Sequence, residues 1–552
     1  MISSRLRSLV LNFLALPVLA TAPLAPAAAE DYWFRLQTDA VEKKSAEFGH
    51  WGWEKDNYLR WATHSNRLIP VYTFGTLGAG KGVDLTSYTG ANSPYRSEKA
   101  LQRLYGYLPP RTLNPSADYL DQTNIFDIQK AALEAGRKHI FLVIFDGTDW
   151  QTTRAAAIAK TGQVRYDSGR GTGLHLQDYQ AGGNTQFGLM VTSPHNDGTK
   201  VDVDTQTVMN PGGTLRGGYD PDRGGEVPWK TTDDLQYLVS APKDAEDRHA
   251  YTDSSCSASS MTAGIKSYNN AVNVTPAGEQ IRTIAMLAQA RGYSAGAVTS
   301  VPISHATPAA AMAHNVDRDD YQDITRDLIG RPSISHPKTP LRGLDVLIGT
   351  GWGAKRDKDA GAGKNFVPGN AYLTDEDRDA VNVANGGKYV VAERTAGVPG
   401  PEGLAAAAKK AREGQHRLLG FYGVASTGHL PFATADGKFN PTLGQKKAEK
   451  YTDADVAENP ELKDMAAAAI EVLSANPKGF WVMIEAGDVD WANHDNNIDN
   501  SIGAVFSGDA AVKTVTDWVE KHSNWDESLL IVTADHGHYL VIENPELLTG
   551  KE

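Results

Sequence analysis

Six short, almost unbroken apolar runs constrain this chain more than any other feature: residues 139–145, 294–299, 344–348, 418–424, 480–484 and 529–533. A strand that is apolar at successive positions has no face to offer water. It must be covered on both sides, as the strands of a parallel sheet are. Between the runs lie stretches with helical spacing of apolar residues, at 278–291, 401–412, 465–475 and 508–522. Alternation of strand and helix predicts an α/β fold, a mostly parallel central sheet sandwiched by helices.

The rest of the 552 residues fits around that pattern. Arg5 and Arg7, the apolar stretch Leu9–Ala20 and Ala27-Ala28-Ala29 read as a secretory signal over residues 1–29. Its apolar part is too short to span a bilayer, and no later run is longer. The expectation is a periplasmic or secreted protein without a membrane span. Cys256 is the single cysteine, so no intramolecular disulfide is available. Residues 30–126 are rich in aromatic and turn residues and read as an N-terminal extension wrapped on a catalytic domain, 127–552. Within that domain, 150–250 is rich in Gly, Asp, Thr and Pro and reads as a large insertion. The Gly-rich Gly75–Gly82 nearly matches a phosphate-binding loop, but Gly82 stands where a metal-holding hydroxyl is needed, leaving a turn. With 54 Lys+Arg against 67 Asp+Glu, the net charge of −13 argues against nucleic acid as the main partner.

Ligands of open α/β sheets gather at the carboxyl ends of strands. Asp146 closes the first run, Glu485 the fifth and Asp535-His536 the sixth, with Asp490 and His494 just beyond Glu485. If the strands are neighbours, these carboxylates and imidazoles converge and need cations to offset their repulsion and desolvation. Mixed Asp/His ligands suit zinc. An oxygen-only set of Asp146, Glu485 and a threonine hydroxyl suits magnesium. Asp490 and His494, four apart, fall on one side of a helical turn. Ser254 opens a helical stretch after Asp253, where free N–H groups can face an anion. Cys256 is the alternative nucleophile, though no histidine adjoins it in sequence and it reads better as a small packing residue. Arg318 can grip two phosphate oxygens or sit in a surface ion pair. His314, on an alanine-rich stretch, reads as a packed core histidine before it reads as a ligand.

Taken together, Asp253-Ser254 leading to Gly264-Ile265-Lys266, His305-Ala306-Thr307-Pro308 with His314 and Arg318, Glu485 with Asp490 and His494, and Thr533-Ala534-Asp535-His536 resemble the alkaline phosphatase family. The resemblance implies hydrolysis of small-molecule phosphate monoesters through a phosphoserine at Ser254, with Arg318 as phosphate clamp. It implies two zinc ions, one on Asp146, Asp535 and His536 and a second on Asp490 and His494. It also implies one magnesium on Asp146, Thr307 and Glu485, with His305 an outer-sphere partner or a direct ligand. Homodimers are common in the family. One departure matters: its second zinc usually takes a third ligand, a histidine well downstream of the Asp-His pair. Here the chain stops at Glu552, and the one later histidine, His538, does not occupy that position. That predicts a truncated chain with an incomplete second site. It keeps two alternatives open, a related phosphodiesterase and a degenerate, non-catalytic binder of metal or phosphate.

Overall fold

A computed structural model gives the structure and describes residues 31–230, 232, 234–239 and 249–551. The segment read as a signal lies outside the described residues. Numbered along the chain, the strands of the main sheet are β1 (Ile69–Phe74), β2 (Leu120–Asp121), β3 (His139–Phe145), β4 (Thr185–Val191), β5 (Ser294–Pro302), β6 (Val346–Thr350), β7 (Tyr389–Glu393), β8 (Arg417–Phe421), β9 (Phe480–Ala486) and β10 (Ser528–Thr533). Their order across the sheet is β7-β8-β6-β5-β9-β3-β10-β1-β4-β2. The seven strands from β7 to β10 are all parallel. β1 then runs antiparallel to β10, and β4 antiparallel to β1. The sheet is therefore mixed, with mostly parallel strands, as the apolar runs predict.

The helices that matter below are α1 (Thr123–Glu134), α2 (Trp150–Thr161), α3 (Ser254–Ala263), α4 (Tyr321–Ile329), α5 (Asp488–His494) and α6 (Ile498–His522). Two neighbouring residues of β9 show that helices cover both faces. Phe480 packs against Trp518 of α6, ring centroids 5.6 Å apart. Trp481 points the other way, and its indole N–H donates to Gln129 of α1 at 2.8 Å. Successive side chains of a strand alternate faces, so α1 and α6 lie on opposite sides. Every residue of β9 and β10 is buried. At about 1.5–3 kcal/mol for each large apolar side chain taken from water, these central strands are the main source of stability.

Four strands outside the six runs, β1, β2, β4 and β7, also build the sheet. β1, inside the segment 30–126, is buried at all six positions and lies between β10 and β4. β4 and the mostly buried α2 come from the segment 150–250. Both segments thus contribute core. A Gly-rich turn, with Gly78, Gly80 and Gly82 at positive φ, follows β1.

Candidate active site

β5, β9, β3 and β10 are consecutive in the sheet and end at one rim. In register, Glu485 lies beside Thr299 on one side and Ile144 on the other, and Ile144 pairs with Thr533. The residues that follow, Asp146 and Asp535-His536, therefore emerge together. The Asp535 carboxylate is fixed by two backbone amides, Gly147 at 2.9 Å and His536 at 2.8 Å. Gly147 has φ +68°, and a Cβ there would lie 2.8 Å from the Asp490 Cα and 2.9 Å from its carboxylate. Glycine is what allows β3 to turn so close beneath α5.

Ser254 is the first residue of α3, and the Asp253 carboxylate caps that helix by accepting from the Cys256 amide at 3.0 Å. Ser254 Oγ lies 3.4 Å from Asp146 Oδ1 and 3.3 Å from His536 Nε2. Arg318 donates to Asp253 at 3.1 Å and to His305 Nε2 at 3.2 Å. Its guanidinium is thereby aimed along the start of α3. A cavity of about 270 Å³ opens here, lined by His64, Ser254, His305, Arg318, Lys446, Asp490, Trp491 and His494. Cys256, two residues further along α3, is buried in contact with Thr252, and burial pushes its thiol far above the ordinary range.

Every predicted site residue reaches this rim, and sequence reasoning missed two. His64 comes from the segment just before β1. Because β1 is antiparallel to β10, with Val71 opposite Thr533 and Ser65 bridging Gly537, its beginning meets the end of β10. His64 there stacks on His536, ring centroids 3.7 Å apart. The other is His538, whose Nε2 is 2.7 Å from Asp490 Oδ1. Two further histidines, His64 from upstream and His538, thus lie with Asp490 and His536 in one group whose ligand atoms are within 4.8 Å of one another.

The hydrogen bonds of these rings fix where their lone pairs point. His64 Nδ1 is 2.9 Å from the Thr252 carbonyl and His494 Nδ1 is 2.7 Å from the Ala62 carbonyl. A carbonyl only accepts, so each Nδ1 carries the proton and each neutral ring bares Nε2. Those two Nε2 atoms face each other at 3.1 Å, with Asp490 Oδ1 at 3.8 Å from His64 and 3.4 Å from His494. Two lone pairs and a carboxylate around one point are what a zinc ion requires. A second group, Asp146, Asp535 and His536, and a third, Asp146, His305 and Glu485, each bring their ligand atoms within 4.8 Å of one another. Asp146 Oδ2, Asp535 Oδ2, Glu485 Oε1 and Thr307 Oγ1 are buried without a hydrogen-bond partner. Such orphans are costly unless a cation satisfies them. His305 differs. Its Nε2 already accepts from Arg318, so a neutral ring keeps its proton on Nδ1, which suits a bond to a metal-bound water and not to the metal.

Electrostatics agree with that chemistry. Burial, then the neighbouring Asp535, Asp490 and Glu485, hold the Asp146 carboxyl far above the usual carboxylate range. Burial also pushes Glu485 up to about 7 and Asp535 up to about 6. His64 and His305 are driven down to about 3, in each case chiefly by burial. Asp490 is the exception: burial raises it, but His494, His538 and His536 outweigh that and hold it far below the usual range. Carboxyls that resist ionising beside imidazoles that resist protonating form a pocket short of positive charge, which divalent cations supply.

The rim thus gathers a serine, an arginine and mixed Asp/His groups able to hold metal ions at the end of a mostly parallel sheet. The alkaline phosphatase family model matches residues 221–549, more than half of the chain, and the chain belongs to that family. Alkaline phosphatase 4 of Bacillus subtilis (strain 168) is 30% identical over 303 residues, covering 54% of this chain and 51% of the relative. Alkaline phosphatase H of Pseudomonas aeruginosa (strain UCBPP-PA14) is 28% identical over 306 residues, covering 53% and 59%. The alkaline phosphatase of Escherichia coli (strain K12) is 28% identical over 319 residues, covering 53% and 60%. The chain thus spans about half the length of the curated relatives it matches. The crystal structure of Thermus thermophilus alkaline phosphatase aligns over 73% of this chain and 60% of its own, at 20% identity and TM-score 0.42.

Proposed function

We propose that the protein hydrolyses phosphate monoesters through a covalent phosphoserine on Ser254. The observation that carries this is a buried serine hydroxyl at the start of α3, within 3.4 Å of Asp146 and 3.3 Å of His536, two residues that belong to the candidate metal-ligand groups. Asp146, Asp535 and His536 would hold one zinc, and His64, Asp490 and His494 the second, with His538 braced on Asp490. Asp146, Glu485 and Thr307 would hold magnesium, and His305 would donate to its water. When bound, these ions lower the pKa of a coordinated hydroxyl or water and offset phosphoryl charge.

The chain's own groups do the rest. Arg318, fixed by Asp253 and His305, receives two phosphoryl oxygens in its fork. The N–H groups at the start of α3 face the same anion, a favourable end of the helix dipole. Ser254 Oγ bonds to phosphorus as the ester P–O bond breaks and the alcohol leaves. Water then attacks phosphorus on the opposite line, the Ser254 Oγ–P bond breaks and inorganic phosphate is released. A phosphomonoester presents the doubly anionic group this clamp fits. A diester offers less charge, so monoesters should be preferred. The place of His64 beside His494 and Asp490 supports this reading over that of a non-catalytic binder.

Ser254→Ala should abolish phosphate incorporation in acid-quenched protein and cut aryl phosphate turnover by several orders of magnitude. Wild-type turnover in that variant would refute the assignment. The reading includes export directed by residues 1–29, which cell fractionation checks. Among the described residues no helix is long and apolar enough to cross a membrane.

A further inference from the structure

A second cluster of metal-ligating side chains lies outside this rim. His314, Asp327 and His336 bring one ligand atom each within 4.8 Å of one another. His314 is buried at 4% exposure, and its Nε2 is 2.8 Å from the Ile281 carbonyl. Nε2 therefore carries the proton, leaving Nδ1 a bare lone pair. That Nδ1 is buried and has no hydrogen-bond partner. Asp327, on α4, is also buried. Its carboxylate accepts from the His314 amide at 3.0 Å and from Ser333 Oγ at 2.5 Å, which fixes it over the His314 residue. His336 Nδ1 completes the group, 2.9 and 3.0 Å from the two Asp327 oxygens. The two imidazoles are 5.2 Å apart, centre to centre.

We propose that His314, Asp327 and His336 form a separate structural zinc site. Two imidazole nitrogens and one carboxylate are borderline-soft ligands that suit zinc, whereas magnesium asks for oxygen alone. The backbone carbonyl behind His314 is the outer-shell partner that orients a zinc-binding imidazole. His336 is the least buried member, with 12% side-chain exposure, and gives the ion an entry path and a fourth position for water. Binding requires the neutral His336 ring to carry its proton on Nε2, so that Nδ1 offers a lone pair and zinc takes the place of the hydrogen between His336 and Asp327. The consequence is mechanical. His314 sits between Thr307 and Arg318 in the chain, so the ion would tie the segment carrying both to α4 and to the loop bearing His336.

Zinc content per chain, measured by elemental analysis of zinc-saturated and desalted full-length protein, tests this. His336→Gln, which keeps a polar side chain at a partly exposed position, should lose one zinc equivalent relative to wild type. It should also lose most of the zinc-dependent rise in melting temperature that remains in a His64→Ala background. Asp490→Asn should remove a different equivalent, and the two losses should add. Zinc content in His336→Gln equal to wild type, in protein whose circular dichroism is unchanged, would overturn the proposal. If His336→Gln fails to fold, His314→Gln in cobalt-loaded protein replaces it. An unchanged d–d absorption spectrum there overturns the site, and loss of one four-coordinate component supports it. Both readouts are independent of phosphatase activity, so they stand apart from the assignment of Ser254.

Discussion

Residues 221–549 and residues 61–74 furnish the same rim in opposite ways. The first stretch, which the family model matches, places Ser254 at a helix start and Glu485 and Asp535 at the ends of parallel strands. The second delivers His64 from the beginning of an antiparallel strand, and that beginning reaches the rim because β1 runs against β10. The two routes meet in one ligand cluster of His64, Asp490, His536 and His538. Position in the sheet, and not order in the chain, decides which side chains meet at the rim. His64 stands far upstream of Asp535-His536 in the chain, yet its ring stacks on His536.

The comparison breaks first at His64. If the upstream histidine is a working ligand, His64→Ala should lower turnover on an aryl phosphate by roughly a hundredfold or more, with loss of one zinc equivalent, as should His494→Ala. Equal activity in His64→Ala would reduce the segment before β1 to packing. Next in size is Gly147→Ala, which tests the parallel half. A Cβ there would meet the Asp490 backbone, at a φ that alanine tolerates poorly. The expected cost is about 1–3 kcal/mol of stability together with weakened metal binding, read by melting temperature and zinc titration. A variant as stable as wild type would show that α5 can move away from β3.

The smallest effect concerns pH and a residue away from the rim. Burial, then the nearby Asp323, pushes the Asp320 carboxyl up to about 8. Its Oδ2 accepts from Asn315 at 2.8 Å, while Oδ1 is buried without a partner. A raised carboxyl pKa means that the folded state holds a proton the unfolded chain has lost. Stability from this group is present below the unfolded value and drains away as pH rises towards about 8. Asp320→Asn should therefore gain melting temperature over wild type at about pH 8.5 and little at about pH 5. A gap that does not widen with pH would contradict this.

Much of the fold was legible because buried strands cannot hide. The six apolar runs overlap strands β3, β5, β6, β8, β9 and β10, the first to the residue and β6 displaced by two positions. Asp146, Glu485 and Asp535-His536 were legible for the same reason, since each stands at or just after a strand end, and the four-residue spacing of Asp490 and His494 gave away the helical turn of α5. Residues 68–74 read as strand-like and β1 lies there, but its pairing was not legible, because antiparallel pairing of distant segments leaves no periodic trace; β4 was obscured by surroundings rich in Gly, Pro and polar residues, and β2 and β7 are short edge strands. His538 did leave a signal. His536 and His538 are two apart in extended chain, so both point to one side. For His64 nothing in spacing distinguishes it from the other histidines, since its role arises only when β1 docks on β10.

The account rests on His64 and His494 sharing an ion beside Ser254. An anomalous difference map at the zinc edge, from crystals of the zinc-loaded protein, tests it most directly. The predicted result is one peak bounded by His64 Nε2, His494 Nε2 and Asp490, and another bounded by Asp146, Asp535 and His536. Zinc density at the second position alone, with the His64 ring turned away, would contradict it.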